Sequence, residues 1–195
     1  MTRTLLLVRH ATSVPPAPGA PSERDRPLTP DGMAQAERLA DLVVPHYPAR
    51  VLSSPYLRAV QTVRPTADRL GLAVERLESL REWASGMDPT PDWQAHYRRC
   101  WAEPQYATAT GETHDALGRR ALAALAQAAE RTRAGEVTVV ASHGTWISRA
   151  LLGLGCPVDA DWWLSLPMPA VFTVTYGDVP AVTPTGPPAY GTLPA

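Results

Sequence analysis

Two apolar runs limit this chain's architecture more than any other feature. Leu5-Leu6-Leu7-Val8 and Val137-Thr138-Val139-Val140-Ala141 show almost no apolar/polar alternation. A strand with one wet face alternates, whereas a run like these is buried on both faces. Such strands sit in the middle of a sheet with helices on both sides. Each run also ends on a histidine, in Arg9-His10 and in Ser142-His143-Gly144.

The remaining strand signals are Arg50–Ser53, Val74–Leu80 and Ala170–Thr175. Helical patterns lie between them. Thr29-Pro30-Asp31 opens a helix with an N-cap, a proline at the first position and an acid at the positive end of the dipole; it runs to about Val44. Ser54-Pro55 opens a second, which closes at Leu70-Gly71 and which Pro65 is expected to kink or split. A third spans Thr113 to Arg133, and a fourth follows His143-Gly144 through Leu152. Strand and helix alternate, so the expected fold class is α/β: a three-layer sandwich with a mostly parallel central sheet flanked by helices and a small inserted cap. The 195 residues suit one domain. The cap is placed at about 83–111, where aromatic residues concentrate. The proline-rich stretch Val14–Pro27 is read as a loop, and the segment 179–195 as an irregular, partly mobile tail.

Global properties narrow the function. A net charge of -1 gives no electrostatic reason to expect nucleic acid. No apolar run approaches a membrane span, and the burst Leu5–Val8 is too short for a signal-peptide core, which leads to a cytoplasmic expectation. Cys100 and Cys156 lie far apart with no CxxC partner, so neither a metal site nor a disulfide framework is expected. The chain has no lysine, and all 18 basic residues are arginines, whose fork can grip a phosphate with two parallel hydrogen bonds.

The strand ends carry the chemistry. The first strand delivers Arg9 and His10. The second delivers Ser53-Ser54-Pro55 and, one helical turn on, Arg58. The third is followed by Glu82, and the fourth delivers Ser142, His143 and Gly144. Ligands of open α/β sheets bind at the carboxyl ends of the strands. Arginines gathered at one edge repel one another unless an anion joins them. A phosphate is such an anion, and helix openings after Ser54 and His143 would add backbone N–H groups. A histidine can then attack phosphorus while a carboxylic acid protonates the leaving oxygen.

From Thr2 to Leu154 the chain resembles the histidine phosphatase superfamily, the phosphoglycerate mutase-like fold. The resemblance rests on five motifs in order: Leu6-Leu7-Val8-Arg9-His10-Ala11-Thr12-Ser13; Leu28-Thr29-Pro30-Asp31-Gly32 with Gln35-Ala36; Ser53-Ser54-Pro55-Tyr56-Leu57-Arg58-Ala59-Val60-Gln61-Thr62; Leu80-Arg81-Glu82 with Gly86; and Val139-Val140-Ala141-Ser142-His143-Gly144. It implies that His10 carries the phosphoryl group, that Arg9, Arg58 and His143 bind its oxygens, and that Glu82 donates the proton. Ala11 stands where the family usually has glycine, which a negative φ tolerates. Pro15-Pro16 replaces a stretch where many members keep an asparagine, so Ser13 is the candidate to complete that side of the phosphate site.

Other residues receive plainer readings. His46 sits in a proline-flanked turn, as a surface residue. His114 and Trp83 are substrate-contact candidates near the expected mouth, and His96 in the cap could be either. Trp93, Tyr97 and Trp101 recur at helical spacing, which more often marks a packed face than a ligand cage. Ser142 lacks the Gly-x-Ser-x-Gly elbow of a serine nucleophile. The expected reaction is hydrolysis of a small phosphorylated metabolite through phosphohistidine, with no cofactor and no metal. The rivals are a phosphoglycerate-type mutase and an inactive module that reads phosphorylated ligands. The expected partners exclude nucleic acid and membrane and admit a homodimer.

Overall fold

A computed structural model describes residues 2–194. Its sheet has six strands in the order β3-β2-β4-β1-β5-β6. These are β1 (Arg3–Arg9), β2 (Arg50–Ser53), β3 (Val74–Arg76), β4 (Val137–Ser142), β5 (Ala170–Tyr176) and β6 (Ala181–Pro184). The first four pair in parallel, whereas β5 and β6 add antiparallel pairs at one side. The helices are α1 (Pro30–Val43), α2 (Leu57–Leu70), α3 (Trp93–Ala102), α4 (His114–Glu130), α5 (Gly144–Gly153) and α6 (Ala160–Ser165).

The lack of alternation in the first apolar run has the expected physical outcome. Side chains alternate across a strand, so Leu5 and Leu7 face one way, and Leu6 and Val8 the other. Leu5 and Leu7 pack with Leu117, Ala121 and Leu125 of α4 and Trp146 and Ile147 of α5. Leu6 and Val8 pack with Leu39 and Val43 of α1 and Val63 and Ala67 of α2. All four β1 residues are fully buried, each contributing roughly 1.5–3 kcal/mol of hydrophobic stabilisation. The result is the three-layer α/β sandwich.

Four local readings need correction. The third strand stops at Arg76, and Glu78–Leu80 is a single 3-10 turn, because the chain must bend to place Glu82. The second helix starts at Leu57 rather than directly after Ser54-Pro55, since Tyr56 is still extended. Pro65 does not split that helix. One missing backbone bond is tolerated where Val60, Val63 and Ala67 are buried against the sheet and α1. The tail is not wholly irregular. Ala181–Pro184 pairs with β5, and the Trp162 indole N–H donates to the Thr192 carbonyl at 2.8 Å. β6 is an edge strand, so its proline interrupts nothing beyond it.

Within 83–111, the segment read as a cap, the regular element is α3. Its Tyr97 stacks on Trp163 of α6 at 5.3 Å, and Trp93 meets Tyr97 edge-on at 5.2 Å. The aromatic spacing thus marks a packed face. No described helix is long and apolar enough to cross a membrane.

Candidate active site

Three parallel strands end together. His10 donates its backbone N–H to the Ser142 carbonyl at 3.1 Å, and Ser54 donates to the Ala141 carbonyl at 2.8 Å. This places His10, Ser54 and His143 at one sheet edge, with the two histidine rings 5.2 Å apart. The segment after β1 is then fixed from behind. Thr12 donates its N–H to Gln35 Oε1 at 2.9 Å, and its carbonyl accepts from the Thr29 N–H at 3.0 Å. Gly32 is required there, since a Cβ would lie 1.9 Å from the Thr12 carbonyl oxygen. Thr62 Oγ1 accepts from the Ala11 N–H at 2.9 Å and donates to the Arg58 carbonyl at 2.7 Å, which ties the histidine loop to α2. Tyr47 is the one non-glycine residue with positive φ among the described residues, so Ala11 replaces glycine without strain.

His10 is buried and held in one tautomer. Its Nδ1 lies 2.7 Å from the Ala11 carbonyl, which can only accept, so Nδ1 carries the proton. Nε2 therefore presents its lone pair, and the Arg58 Nε–H points at it from 3.2 Å. Burial, then Arg58 and Arg9, push the imidazole well below its ordinary pKa, so it is neutral at pH 7. His143 is fully buried and pushed well below its ordinary value by burial and then Arg58. Ser54 Oγ accepts from the Tyr56 N–H at 3.2 Å and lies 2.8 Å from His143 Nε2. His143 Nδ1 is buried and has no protein partner, and when it carries the ring proton it can donate to a ligand oxygen.

Arg9 packs flat against Gly144, where a Cβ would come within 3.1 Å of its Cζ. One guanidinium nitrogen donates to the Leu166 carbonyl and, at 3.3 Å, to the Pro167 carbonyl. Its Nε is buried and unpartnered. Burial lowers its pKa to about 10, against the opposing pull of Glu82, so it stays charged. Glu82 is seated at the start of α5. Its Oε1 accepts from the Trp83 N–H at 2.8 Å and the Trp146 N–H at 3.1 Å, and its Oε2 from the Thr145 N–H at 3.3 Å. Those bonds and Arg58 favour the carboxylate, but burial outweighs them and raises the pKa from its ordinary value. A carboxyl so placed can hold a proton and give it up.

The structure therefore brings together Arg9, His10, Arg58, Glu82 and His143. It does not bring His114 or Trp83 to the mouth. His114 is 1% exposed, wedged edge-on between Trp83 at 4.6 Å and Trp101 at 5.2 Å. Trp83 is also buried and donates its indole N–H to the Glu112 carbonyl. Both belong to the packing beneath the cap, because the aromatic residues of α3 close over them. His96 stacks on Trp83 at 6.0 Å, and His46 is exposed as expected. Ser142 is fully buried and donates to the Leu80 carbonyl at 2.8 Å, a structural bond. Ser13 acts at one remove, since its Oγ accepts from Arg26 at 3.2 Å.

Arg26 is the residue that sequence reasoning missed. It is 8% exposed and stands near enough to depress the pKa of Arg58, His10 and His143. A β-bridge between Ser13 and Leu28 folds the proline-rich loop back over the site and carries Arg26 with it. The available signal was an arginine directly before Pro27-Leu28-Thr29, the start of the α1 motif, in the charged run Glu23-Arg24-Asp25-Arg26. Tyr56 was quoted in a motif but given no role; its ring meets His143 edge-on at 5.1 Å, and Arg58 lies 5.1 Å from its centroid. Among the described residues no cluster of three or more His, Cys, Asp or Glu could hold a metal.

A parallel sheet edge with a neutral, tautomer-locked histidine, buried arginines and a carboxyl of raised pKa has the make-up of an enzyme site for an anionic group. The chain belongs to the histidine phosphatase superfamily (branch 1), which it matches over residues 5–180, and it is an enzyme of that phosphatase family. Comparison with curated protein sequences gives no match. Solved structures with the same fold include a mycobacterial hydrolase, "Mycobacterial hydrolase 1", at TM-score 0.77 and 20% identity over 98% of this chain and 100% of that one. A phosphoserine phosphatase from Entamoeba histolytica, in complex with 3-phosphoglyceric acid, aligns at TM-score 0.75 and 19% identity over 94% and 96%. A phosphoglycerate mutase from Bacillus anthracis aligns at TM-score 0.74 and 18% identity over 97% and 95%.

Proposed function

We propose that the chain hydrolyses phosphate monoesters of small metabolites in two steps through a phosphohistidine. The observation that carries this reading is the His10 ring. Nδ1 is tied to the Ala11 carbonyl, and the Nε2 lone pair faces the buried guanidinium of Arg58. In the first step Nε2 attacks phosphorus, the P–O bond to the alcohol breaks, and Glu82 protonates the leaving oxygen. Arg9, Arg58, Arg26 and the His143 Nδ1–H hold the phosphoryl oxygens as charge develops. In the second step Glu82 takes a proton from water, which attacks phosphorus and releases phosphate from His10.

Support for hydrolysis over a mutase reaction comes from the short cap, whose regular element is the ten-residue α3, and from Pro15-Pro16 where many members, the mutases among them, keep an asparagine. A mutase must retain an acidic sugar-acid skeleton between its two steps. The test is a rapid quench with a labelled aryl phosphate. Acid-labile, alkali-stable label is expected on the protein and absent from His10→Ala. Label that persists in His10→Ala would overturn the reading, and turnover that requires a bisphosphorylated primer would make the enzyme a mutase.

A further inference from the structure

The turn around Glu23 lays a carboxylate on the arginines closest to the nucleophile. Arg58 is 1% exposed, and its planar fork carries Nε and Nη2 on one edge. Nε points at His10 Nε2 from 3.2 Å, and Nη2 donates to Glu23 Oε2 at 3.1 Å. A single edge of Arg58 therefore faces both the nucleophilic nitrogen and the Glu23 carboxylate. Arg26 clasps the same carboxylate, with Nε on Oε1 at 2.9 Å and Nη2 on Oε2 at 3.0 Å. An oxyanion brought up to His10 would use these same donors, and they already hold an anion of the protein's own.

The two sides of this contact differ in freedom. The Glu23 side chain is 54% exposed and can rotate into water. The arginines are held by bonds that do not involve that side chain. Arg58 Nη1 donates to the Glu23 backbone carbonyl, and Arg26 Nη1 donates to Ser13 Oγ and the Val14 carbonyl. The carboxylate can leave while both guanidinium groups keep their places.

We infer that Glu23 is a built-in competitor for the anion site: its carboxylate occupies Arg58 and Arg26 between turnovers, and inorganic phosphate must displace it to bind. The cost of displacement is the same for substrate and for product phosphate. The site is open in only a fraction of empty molecules, and each apparent dissociation constant is the intrinsic one divided by that fraction. Bare arginines at this edge would repel one another when empty and grip the released phosphate through charge-assisted hydrogen bonds. Glu23 relieves the repulsion and loosens the grip, so free phosphate inhibits the enzyme less. The inference rests on the phosphate-site reading of this edge, but not on the phosphohistidine step.

The test is calorimetric binding of inorganic phosphate to the wild type, Glu23→Gln, Glu23→Ala and Asp25→Asn. Asp25 carries the same charge in the same turn, but it takes the Ser22 hydroxyl at 2.6 Å and, among the described residues, pairs with neither Arg26 nor Arg58. Both Glu23 variants should bind phosphate about tenfold more tightly, and Asp25→Asn less than about twofold. The inhibition constant of phosphate in a turnover assay should fall with the dissociation constant. Unchanged binding in the Glu23 variants overturns the inference. So does an equal gain in Asp25→Asn, which would reduce the effect to general charge, and so does weaker binding, which would make Glu23 a prop for the arginines. Tightening in the Glu23 variants without any phosphohistidine label in the quench would sink the hydrolase reading and leave this one standing. No phosphate binding by any of the four proteins would sink both.

Discussion

The sheet edge and the aromatic layer under α3 both bury histidines, to opposite ends. At the edge, His10 is neutral and each ring nitrogen has a defined task, because a carbonyl and an arginine fix its tautomer. Under the cap, His114 is as well buried, yet both its nitrogens lack partners and its neighbours are indole rings. Burial lowers the pKa of both. The contrast teaches that burial and a shifted pKa do not make a functional residue; directional partners and neighbouring charge do.

The strongest break of this comparison is at the edge. His10→Ala should lower kcat on an aryl phosphate by on the order of 10⁴-fold or more and abolish the protein label, read by steady-state assay and quench. Glu82→Gln comes next. It should lower kcat by about 10²–10⁴ on alkyl phosphates and much less on p-nitrophenyl phosphate, whose leaving group needs no proton. In the wild type the alkyl rate should fall as pH rises past the raised pKa of Glu82, and a flat profile would deny it the proton-donor role. Gly144→Ala should force the Arg9 guanidinium aside by a few tenths of an ångström. A loss of about tenfold in kcat/KM is expected, with the unfolding midpoint nearly unchanged.

The cap should respond in stability alone. Trp163→Ala removes the ring that packs on Tyr97 and Trp101. It should cost about 2 kcal/mol by denaturant titration while kcat per folded molecule stays within roughly threefold. A large fall in kcat would place the aromatic layer in the reaction. The smallest effect is expected for His114→Leu, which exchanges an unpartnered buried ring for an apolar side chain at a cost of about 1 kcal/mol or less at pH 7. The folded pKa of His114 is lowered to about 3 from an ordinary 6.5. The unfolded chain therefore binds a proton below pH 6.5 that the native state refuses until about 3. That lost stability grows as pH falls through this window, at up to about 1.4 kcal/mol per pH unit. His114→Leu should flatten this limb, and an unchanged acid slope would contradict the assignment.

Much of this was legible in the residues. The apolar runs declared a sheet covered on both faces, and their carboxyl ends carried Arg9, His10 and His143. Arg58 was readable because one helical turn separates it from a strand end. The place of Glu82 among the site residues was legible, but its seat at the start of α5 was not, since that contact joins residues far apart in sequence. Arg26 escaped because loop composition describes solvent exposure on average, and a single β-bridge from Ser13 reverses it. His114 misled for the complementary reason. Nearness in sequence to the expected mouth said nothing about which side chains would close over it.

The sequence by itself determined the layering and which polar residues stand at the strand ends, because side-chain periodicity along a strand and the direction of parallel strands are local properties that accumulate into a sheet edge. Only the tertiary structure decided which charges meet there. The joining of Arg26 and Glu23 to Arg58, and the exclusion of His114 and Trp83, depend on how a proline-rich loop and an aromatic helix fold back onto the sheet, and the energies of those contacts exist only once distant segments are packed.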